Sequence, residues 1–169
     1  MEKNELMQRT QGLMVFLGSL ANGLESVMGR GSESLCFRSG SVSGKDWDVS
    51  KYVSTDPLEA IEGTRQLMLD HQIDWPYDLY KKEGESDYVQ TDEDGQTEIR
   101  LVFRNCLVRC TLFRYGFPQE MSLCQTNHGL FSGLFARIHG TTHTRLAIVH
   151  SGENACLLAL QYRQKKGSV

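Results

Sequence analysis

"SLCQTNHGLFSGLFARIHG", residues 122–140, carries the pattern that decides how this chain folds. A helical wheel puts its bulky apolar side chains on one continuous arc, with Cys124 and His128 at the edge of that arc. Gly129 and Gly133 lie on the far side, where two small residues four positions apart allow another backbone to approach closely. The stretch therefore predicts a helix buried on two sides, whose bulky arc faces either a sheet or a cavity.

Strand patterns surround this helix. "TRLAIVH" (144–150) and "ACLLALQYR" (155–163) are rich in β-forming residues and are joined by "SGEN", which predicts a hairpin. Upstream, "WPYDLYKK" (75–82) and "TEIRLVFRN" (97–105) alternate apolar and polar residues, and the acidic segment between them ends in an Asp-Gly turn dipeptide. Four strands in an antiparallel sheet are therefore expected.

The N-terminal part of the chain predicts helices. Apolar residues from Leu6 to Met28 recur at steps of three and four, and a Gly-Arg-Gly sequence ends the pattern. Residues 32–47 predict a short second helix or helix-like turn, and a third helix begins at Pro57 with Asp56 as its N-cap. The sequence thus predicts a single domain over residues 1–169, an α+β fold whose helices pack on a four-stranded antiparallel sheet.

The composition excludes several classes of protein. A net charge of -3 without a basic face argues against a nucleic-acid partner. No run of 18 apolar residues occurs, so no transmembrane segment is predicted, and the polar N-terminus is unlike a secretory signal. A cytoplasmic location is therefore expected. The five scattered cysteines are then expected to be free thiols, not a disulfide framework.

Cys124 and His128 lie one helical turn apart and can reach a common point. Four interpretations stay open: packing of the cysteine with a histidine that caps a carbonyl, a metal site completed by Cys156 and His150, a thiolate–imidazole nucleophile, or ligand contact without chemistry. Phe131 and Phe135 would extend the same wall if the arc faces a cavity.

The segment "RNCLVRCTLFRYGFPQ" (104–119) offers a second wall. It combines sulfur and aromatic side chains with arginines, which suits either core packing with surface arginines or a pocket for a flat apolar molecule that carries carboxylates. In the second case the arginines would meet the acidic groups. The candidate ligand contacts here are Cys106, Cys110, Phe113 and Tyr115, with Arg109 and Arg114 at the rim.

Three segments in order resemble the 4-vinyl reductase domain family, also described as hydrocarbon-binding domains. They are "MGRGSESLCFRSGSVSG" (28–44), "LCQTNHGLFSGLFARIHG" (123–140) and "HSGENACLLAL" (150–160). They match a glycine-flanked segment after the first helix, a cysteine before a GxxxG helix, and a G-(D/E)-x-x-C turn that opens the last strand. The resemblance implies the fold of the small TRAPP vesicle-tethering subunits, a homodimer, and a small-molecule pocket between helices and sheet.

The resemblance also implies ligands. Some members are sensory domains for aromatic compounds, and others are linked to bacteriochlorophyll synthesis or photosystem biogenesis, which implies a tetrapyrrole. The sensory branch carries a zinc site of cysteines and a glutamate. This chain keeps Cys124 and Cys156 of that set and has Ile148 and Arg145 at the other positions. His128 or His150 would have to substitute.

We therefore expect non-enzymatic binding of a small apolar or planar ligand, such as a hydrocarbon, an aromatic or a tetrapyrrole, by a sensor or carrier domain. The reductase label in the family name lacks support, since the chain has no nicotinamide- or flavin-binding loop. The alternatives are a tetrapyrrole-handling or photosystem-biogenesis accessory factor, a protein-interaction module, and a Cys/His metal-dependent enzyme.

Overall fold

Five α-helices, five β-strands and a short 3-10 helix (Ser50–Tyr52) follow one another in the computed structural model, which describes residues 3–164, without the side chains of residues 3–7 and 107. Helices come first, a small group of strands follows, and two helices separate that group from the final hairpin. No helix within the described range is long and apolar enough to cross a membrane. The elements are α1 (Lys3–Met28), α2 (Gly31–Ser43), α3 (Pro57–Asp70), β1 (Asp78–Tyr80), β2 (Val89–Thr91), β3 (Gln96–Phe103), α4 (Leu107–Tyr115), α5 (Ser122–His139), β4 (Thr142–Ser151) and β5 (Cys156–Arg163).

The sheet is antiparallel and has the order β1-β3-β5-β4, with β2 also paired to β3. β1 pairs with residues 100–102 and β2 with residues 97–99, so both occupy the same edge of β3, end to end. The sheet therefore has five strands, where the sequence predicts four. The number of strand positions across the sheet is still four, because the polar stretch 81–88 interrupts the edge strand and divides it in two.

The predicted hairpins are both present. Gly95 has a φ of +73°, and the carboxylate of Asp92 accepts hydrogen bonds from the backbone N–H groups of Asp94 (3.0 Å) and Gln96 (2.8 Å). This turn joins β2 to β3, and the last two strands pair directly with each other. The predicted strand at 75–82 is shorter than expected, since only Asp78–Tyr80 joins the sheet.

Helix α5 is buried on two sides, as its sequence predicts. On one side a Cβ on Gly129 or Gly133 would overlap the backbone carbonyls of Phe37 and Ser41, so α2 lies directly against the α5 backbone. On the other side four apolar side chains of α5 are at most 1% exposed and pack in the core above the sheet. They are Phe131, Leu134, Phe135 and Ile138.

Helix α2 is longer than the short helix or turn that its glycines and serines suggest. It runs for 13 residues because α5 covers it, and Gly40 allows the carbonyl of Thr126 to approach. Helix α3 begins where predicted: the carboxylate of Asp56 accepts hydrogen bonds from the backbone N–H groups of Leu58 and Glu59, both at 2.9 Å. The α+β class of the fold is thus confirmed.

Candidate functional site

A small cavity lies where the beginnings of α4 and α5 meet the end of β4 and the start of β5. About 370 Å³ of this region is free of protein atoms, and about 20 Å³ admits the centre of a water-sized sphere. That is room for about one water molecule, whereas an apolar cavity of about 150 Å³ binds benzene. The walls are mostly apolar and sulfur-rich. Six of the lining residues are Trp75, Phe103, Cys106, Cys124, His128 and Cys156.

Helix α5 brings Cys124 and His128 together on this cavity, as their spacing predicts. Cys156 reaches it from the start of β5, and Cys106 reaches it as the N-cap residue of α4. Arg109, one turn into α4, completes the set of predicted site residues that border the cavity.

Four predicted residues of α4 do not border the cavity. Cys110 is exposed, and Phe113 is 56% exposed on the outer surface. The guanidinium of Arg114 lies 6.0 Å from the ring centre of the half-buried Tyr115. The second wall suggested by the sequence is therefore formed by the N-terminal turn of α4 alone.

Phe131 and Phe135 are fully buried, yet they do not border the cavity. Phe131 contacts Trp75 edge to face, with ring centroids 5.9 Å apart. Phe135 lies one turn further on and packs against Tyr162 at 5.2 Å. Phe131 therefore packs against the Trp75 ring, which forms one wall of the cavity, and keeps that ring in position.

The cavity thiols are in surroundings that favour the protonated form. Burial raises the pKa of Cys124 to about 12, and it also raises the pKa values of Cys106 and Cys156. Metal binding and nucleophilic attack both require a thiolate. Within residues 3–164, no three His, Cys, Asp or Glu side chains are grouped so that they could hold a metal ion. The predicted set of Cys124, His128 and Cys156 is thus not assembled in this geometry.

Three buried polar side chains on the cavity have an atom without an oxygen or nitrogen hydrogen-bond partner in the described part of the chain. They are Nε1 of Trp75, Nε of Arg109 and Nδ1 of His128, in residues that are 4%, 6% and 5% exposed. The Cys106 thiol, a weak acceptor, lies beside the Trp75 indole N–H. Burial lowers the pKa of His128 to about 4, so its imidazole is neutral at pH 7. Each unpaired atom destabilises the fold by about 1–3 kcal/mol, and such groups mark places where a further partner binds.

The rest of the Arg109 guanidinium is occupied by backbone carbonyls. Its Nη2 donates to the carbonyls of Arg104 at 2.7 Å and Asn154 at 3.3 Å, and its Nη1 donates to that of Glu153. Arg109 therefore fastens the β4–β5 turn to α4. It does not form the open cationic rim that the sequence suggests for carboxylates, since only Nε lacks a partner.

Sequence reasoning missed several residues of the cavity. The sequence predicts a strand at Trp75, but this residue precedes β1 and turns into the core to stack on Phe103, with ring centroids 4.1 Å apart. A buried tryptophan needs a partner for its N–H, and that requirement is the signal that identifies it. Glu120 and Ser151 also border the cavity. Nothing in the sequence around Glu120 and Ser151 indicates that they border a cavity.

The fold is shared with a solved sensory domain. The chain is similar to the phenol-responsive sensory domain of the transcription activator PoxR, whose crystal structure was determined with phenol. The TM-score is 0.61, and the match covers 87% of this chain and 73% of that chain. The sequence identity is 15%, so the similarity shows a common fold. No protein-family model and no curated protein matches this sequence.

Proposed function

We propose that this chain is a ligand-binding sensor or carrier domain whose cavity takes a small aromatic molecule bearing one hydroxyl group. The observation that carries the proposal is the set of three buried polar atoms without partners, on Trp75, Arg109 and His128, in an otherwise apolar cavity. Binding sites for small molecules combine apolar walls with a few convergent polar groups in this way.

The hydrogen-bonding chemistry of these atoms selects the polar group of the ligand. Trp75 Nε1 and Arg109 Nε can only donate, whereas the neutral imidazole of His128 donates or accepts at Nδ1 according to its tautomer. A hydroxyl group both accepts and donates, so it can serve a donor and the imidazole together. A pure hydrocarbon would leave all three atoms unpaired, at a cost of about 1–3 kcal/mol each.

The volume of the cavity limits the size of the ligand. A tetrapyrrole is many times larger than a space for one water molecule, so the accessory-factor alternative would require the core to be rebuilt. A single aromatic ring requires only that one wall moves outward. The phenol in the similar PoxR domain supports this ligand class, and so does the resemblance of the sequence to hydrocarbon-binding sensory domains.

We also propose that α1 pairs with the α1 of a second copy of this chain. Its outer face carries five apolar residues at alternating steps of four and three, four of them exposed and Leu24 half-buried, which is the spacing of a coiled-coil seam. These residues are Leu13, Leu17, Leu20, Leu24 and Val27.

The composition of this surface favours a second copy. Leu13, Leu20 and Val27 are 58%, 60% and 86% exposed, and an exposed apolar stripe of this kind marks an interaction surface. Residues 10–24 contain no charged residue, and interface cores are depleted in charge. A membrane-surface helix would instead carry lysines and arginines on its polar face.

Calorimetric titration with phenol and toluene tests the proposed ligand class. The two molecules have nearly the same shape, and only phenol carries a hydroxyl group. We expect one phenol per chain, bound ten- to a hundredfold more tightly than toluene, because one or two hydrogen bonds of about 1–1.5 kcal/mol are gained. Equal affinity for the two compounds would refute the role of the polar atoms, and no saturable binding of either would refute the ligand class.

A further inference from the structure

The inner cavity shares one wall with an open groove on the protein surface. The groove encloses about 550 Å³ and runs beside the α4–α5 connection and the β4–β5 turn. Three residues border both the groove and the cavity, namely Gln119, Glu120 and Ser151. We call these three residues the shared wall.

One hydrogen bond closes the shared wall. The hydroxyl of Ser151, at the end of β4, donates to the carboxylate of Glu120 in the α4–α5 connection. Glu120 is exposed, and its backbone is in the left-handed region, with a φ of +70°. A non-glycine residue in that region costs of the order of 1 kcal/mol and persists only where other contacts hold it.

The two ends of the connection are fixed while its middle spans the opening. Phe117 packs over Gly18 of α1, and the backbone N–H of Ser122 donates to the carboxylate of Glu25 at 2.9 Å. Immediately before the first anchor, Gly116 with a φ of +71° begins the connection. Between the anchors, Nε2 of Gln125 donates to the carbonyl of Glu120 at 3.2 Å, and the Glu120–Ser151 hydrogen bond joins the segment to the end of β4.

The other walls of the cavity cannot move as easily. Phe103 and Leu158 are at most 1% exposed and belong to strands in the middle of the sheet, and His128 is part of α5. Moving any of them would disturb a close-packed core. Breaking the Glu120–Ser151 bond exposes a carboxylate and a hydroxyl, which water can solvate in place of the lost partner.

We infer that the Glu120–Ser151 hydrogen bond is a latch that controls access from the surface groove to the inner cavity. Since the cavity has room for about one water molecule, an aromatic ligand needs the shared wall to open before it can bind. The role of the latch in ligand entry rests on the proposed function. The opening of the latch can be tested without a ligand.

The test measures how fast the buried thiol of Cys106 is alkylated. Cys106 borders the cavity and is 6% exposed, while Cys110 is exposed and reports the activity of the reagent. The full chain is treated with iodoacetamide and labelling at each cysteine is followed by peptide mass spectrometry. In Ser151→Ala we expect labelling of Cys106 to be about three- to tenfold faster at an unchanged rate for Cys110, because the latch loses one hydrogen bond.

The control is Ser54→Ala, which removes another serine–glutamate hydrogen bond, from Ser54 to Glu59 at 2.8 Å, together with the bond that Ser54 accepts from the backbone N–H of Asp56 at 3.1 Å. Ser54 does not border the cavity. This variant should label Cys106 at the wild-type rate. The latch is refuted if Ser151→Ala leaves the rate at Cys106 unchanged, or if Ser54→Ala raises it equally.

Phenol kinetics separate the latch from the proposed function. If phenol binds, stopped-flow measurements should show faster association and dissociation in Ser151→Ala than in the wild type. If phenol does not bind the wild type while Cys106 still responds to Ser151→Ala, the proposed function fails and the latch stands. If phenol binds and the rates and the labelling are both unchanged, the latch fails and the proposed function stands.

Discussion

The indole ring of Trp75 lies almost parallel to the imidazole ring of His128, with ring centroids 6.0 Å apart and an angle of 9° between the planes. Each ring carries a buried nitrogen without a hydrogen-bond partner in the described structure. Trp75 comes from the segment before β1 and His128 from the middle of α5, so the core places them together across a long stretch of sequence. Both rings pack in the core and both residues border the cavity, so substitutions at either residue are expected to affect the stability of the fold as well as the binding of a ligand.

His128→Leu should separate ligand binding from stability. Leucine has a similar size and leaves no unpaired polar atom, so the free energy of unfolding at pH 7 should equal that of the wild type or exceed it by up to about 2 kcal/mol. Phenol affinity should fall about tenfold, since one hydrogen bond is lost. Chemical denaturation and calorimetry measure the two quantities. A variant that loses several kcal/mol of stability would show that His128 is needed for packing.

His128 should also make the stability depend on pH. Burial, with a smaller contribution from the charge of Arg145, lowers the pKa of His128 from 6.5 to about 4. Below pH 6.5 the unfolded chain takes up a proton that the folded chain does not bind until about pH 4. The contribution of His128 to the free energy of unfolding is thus complete above pH 6.5, and on the order of 3 kcal/mol is lost as the pH falls to 4.

Denaturation at a series of pH values checks this dependence, with His128→Leu as the control because carboxylates also titrate in acid. The wild type should lose more stability than the variant between pH 6.5 and 4. Parallel curves for the two proteins would mean that His128 is not buried in its neutral form.

The glycines of α5 should be sensitive to substitution. A Cβ at Gly133 would overlap the backbone carbonyl of Ser41, so Gly133→Ala should lower the free energy of unfolding by about 1–3 kcal/mol. At Gly12 of α1 nothing lies within 4 Å of an added Cβ. Gly12→Ala should therefore leave stability unchanged or raise it by up to about 1 kcal/mol. Equal effects at the two positions would contradict the close packing of α2 against α5.

The outer face of α1 should set the oligomeric state. Leu20 is 60% exposed in the middle of the apolar stripe, so Leu20→Glu should convert a dimer into monomers, as measured by sedimentation equilibrium. Val53 is 62% exposed outside α1, and Val53→Glu should leave the dimer intact. A wild-type chain that stays monomeric at high micromolar concentration would refute the pairing of two α1 helices.

The fold could be predicted where the sequence pattern is local. The α5 segment combines a periodic apolar arc with two glycines, and both of its packed faces follow from that pattern. The hairpin turn at Asp94-Gly95 is likewise fixed by the backbone that glycine allows, and Gly95 has the positive φ it requires. The division of the edge strand into β1 and β2 depends on where a polar stretch leaves the sheet, which no local pattern specifies.

The cavity could be predicted only in part. Cys124 and His128 follow from one-turn spacing within α5. The side of α4 that faces inward depends on the residue at which α4 begins, and because Cys106 is its N-cap, Phe113 is left on the surface. The inward turn of Trp75 depends on packing against Phe103 and Phe131, which are distant in the sequence.

Two-dimensional ¹H–¹⁵N NMR of the indole N–H groups tests the proposed site most directly. The chain has two tryptophans, and Trp47 serves as an internal control because it stacks on His71 at 3.7 Å and does not border the cavity. On titration with phenol, the Trp75 resonance should shift downfield in a saturable manner as its N–H acquires an acceptor, while the Trp47 resonance stays in place. Saturable phenol binding that leaves the Trp75 resonance unmoved, or moves both resonances alike, would contradict a site formed by Trp75 and His128.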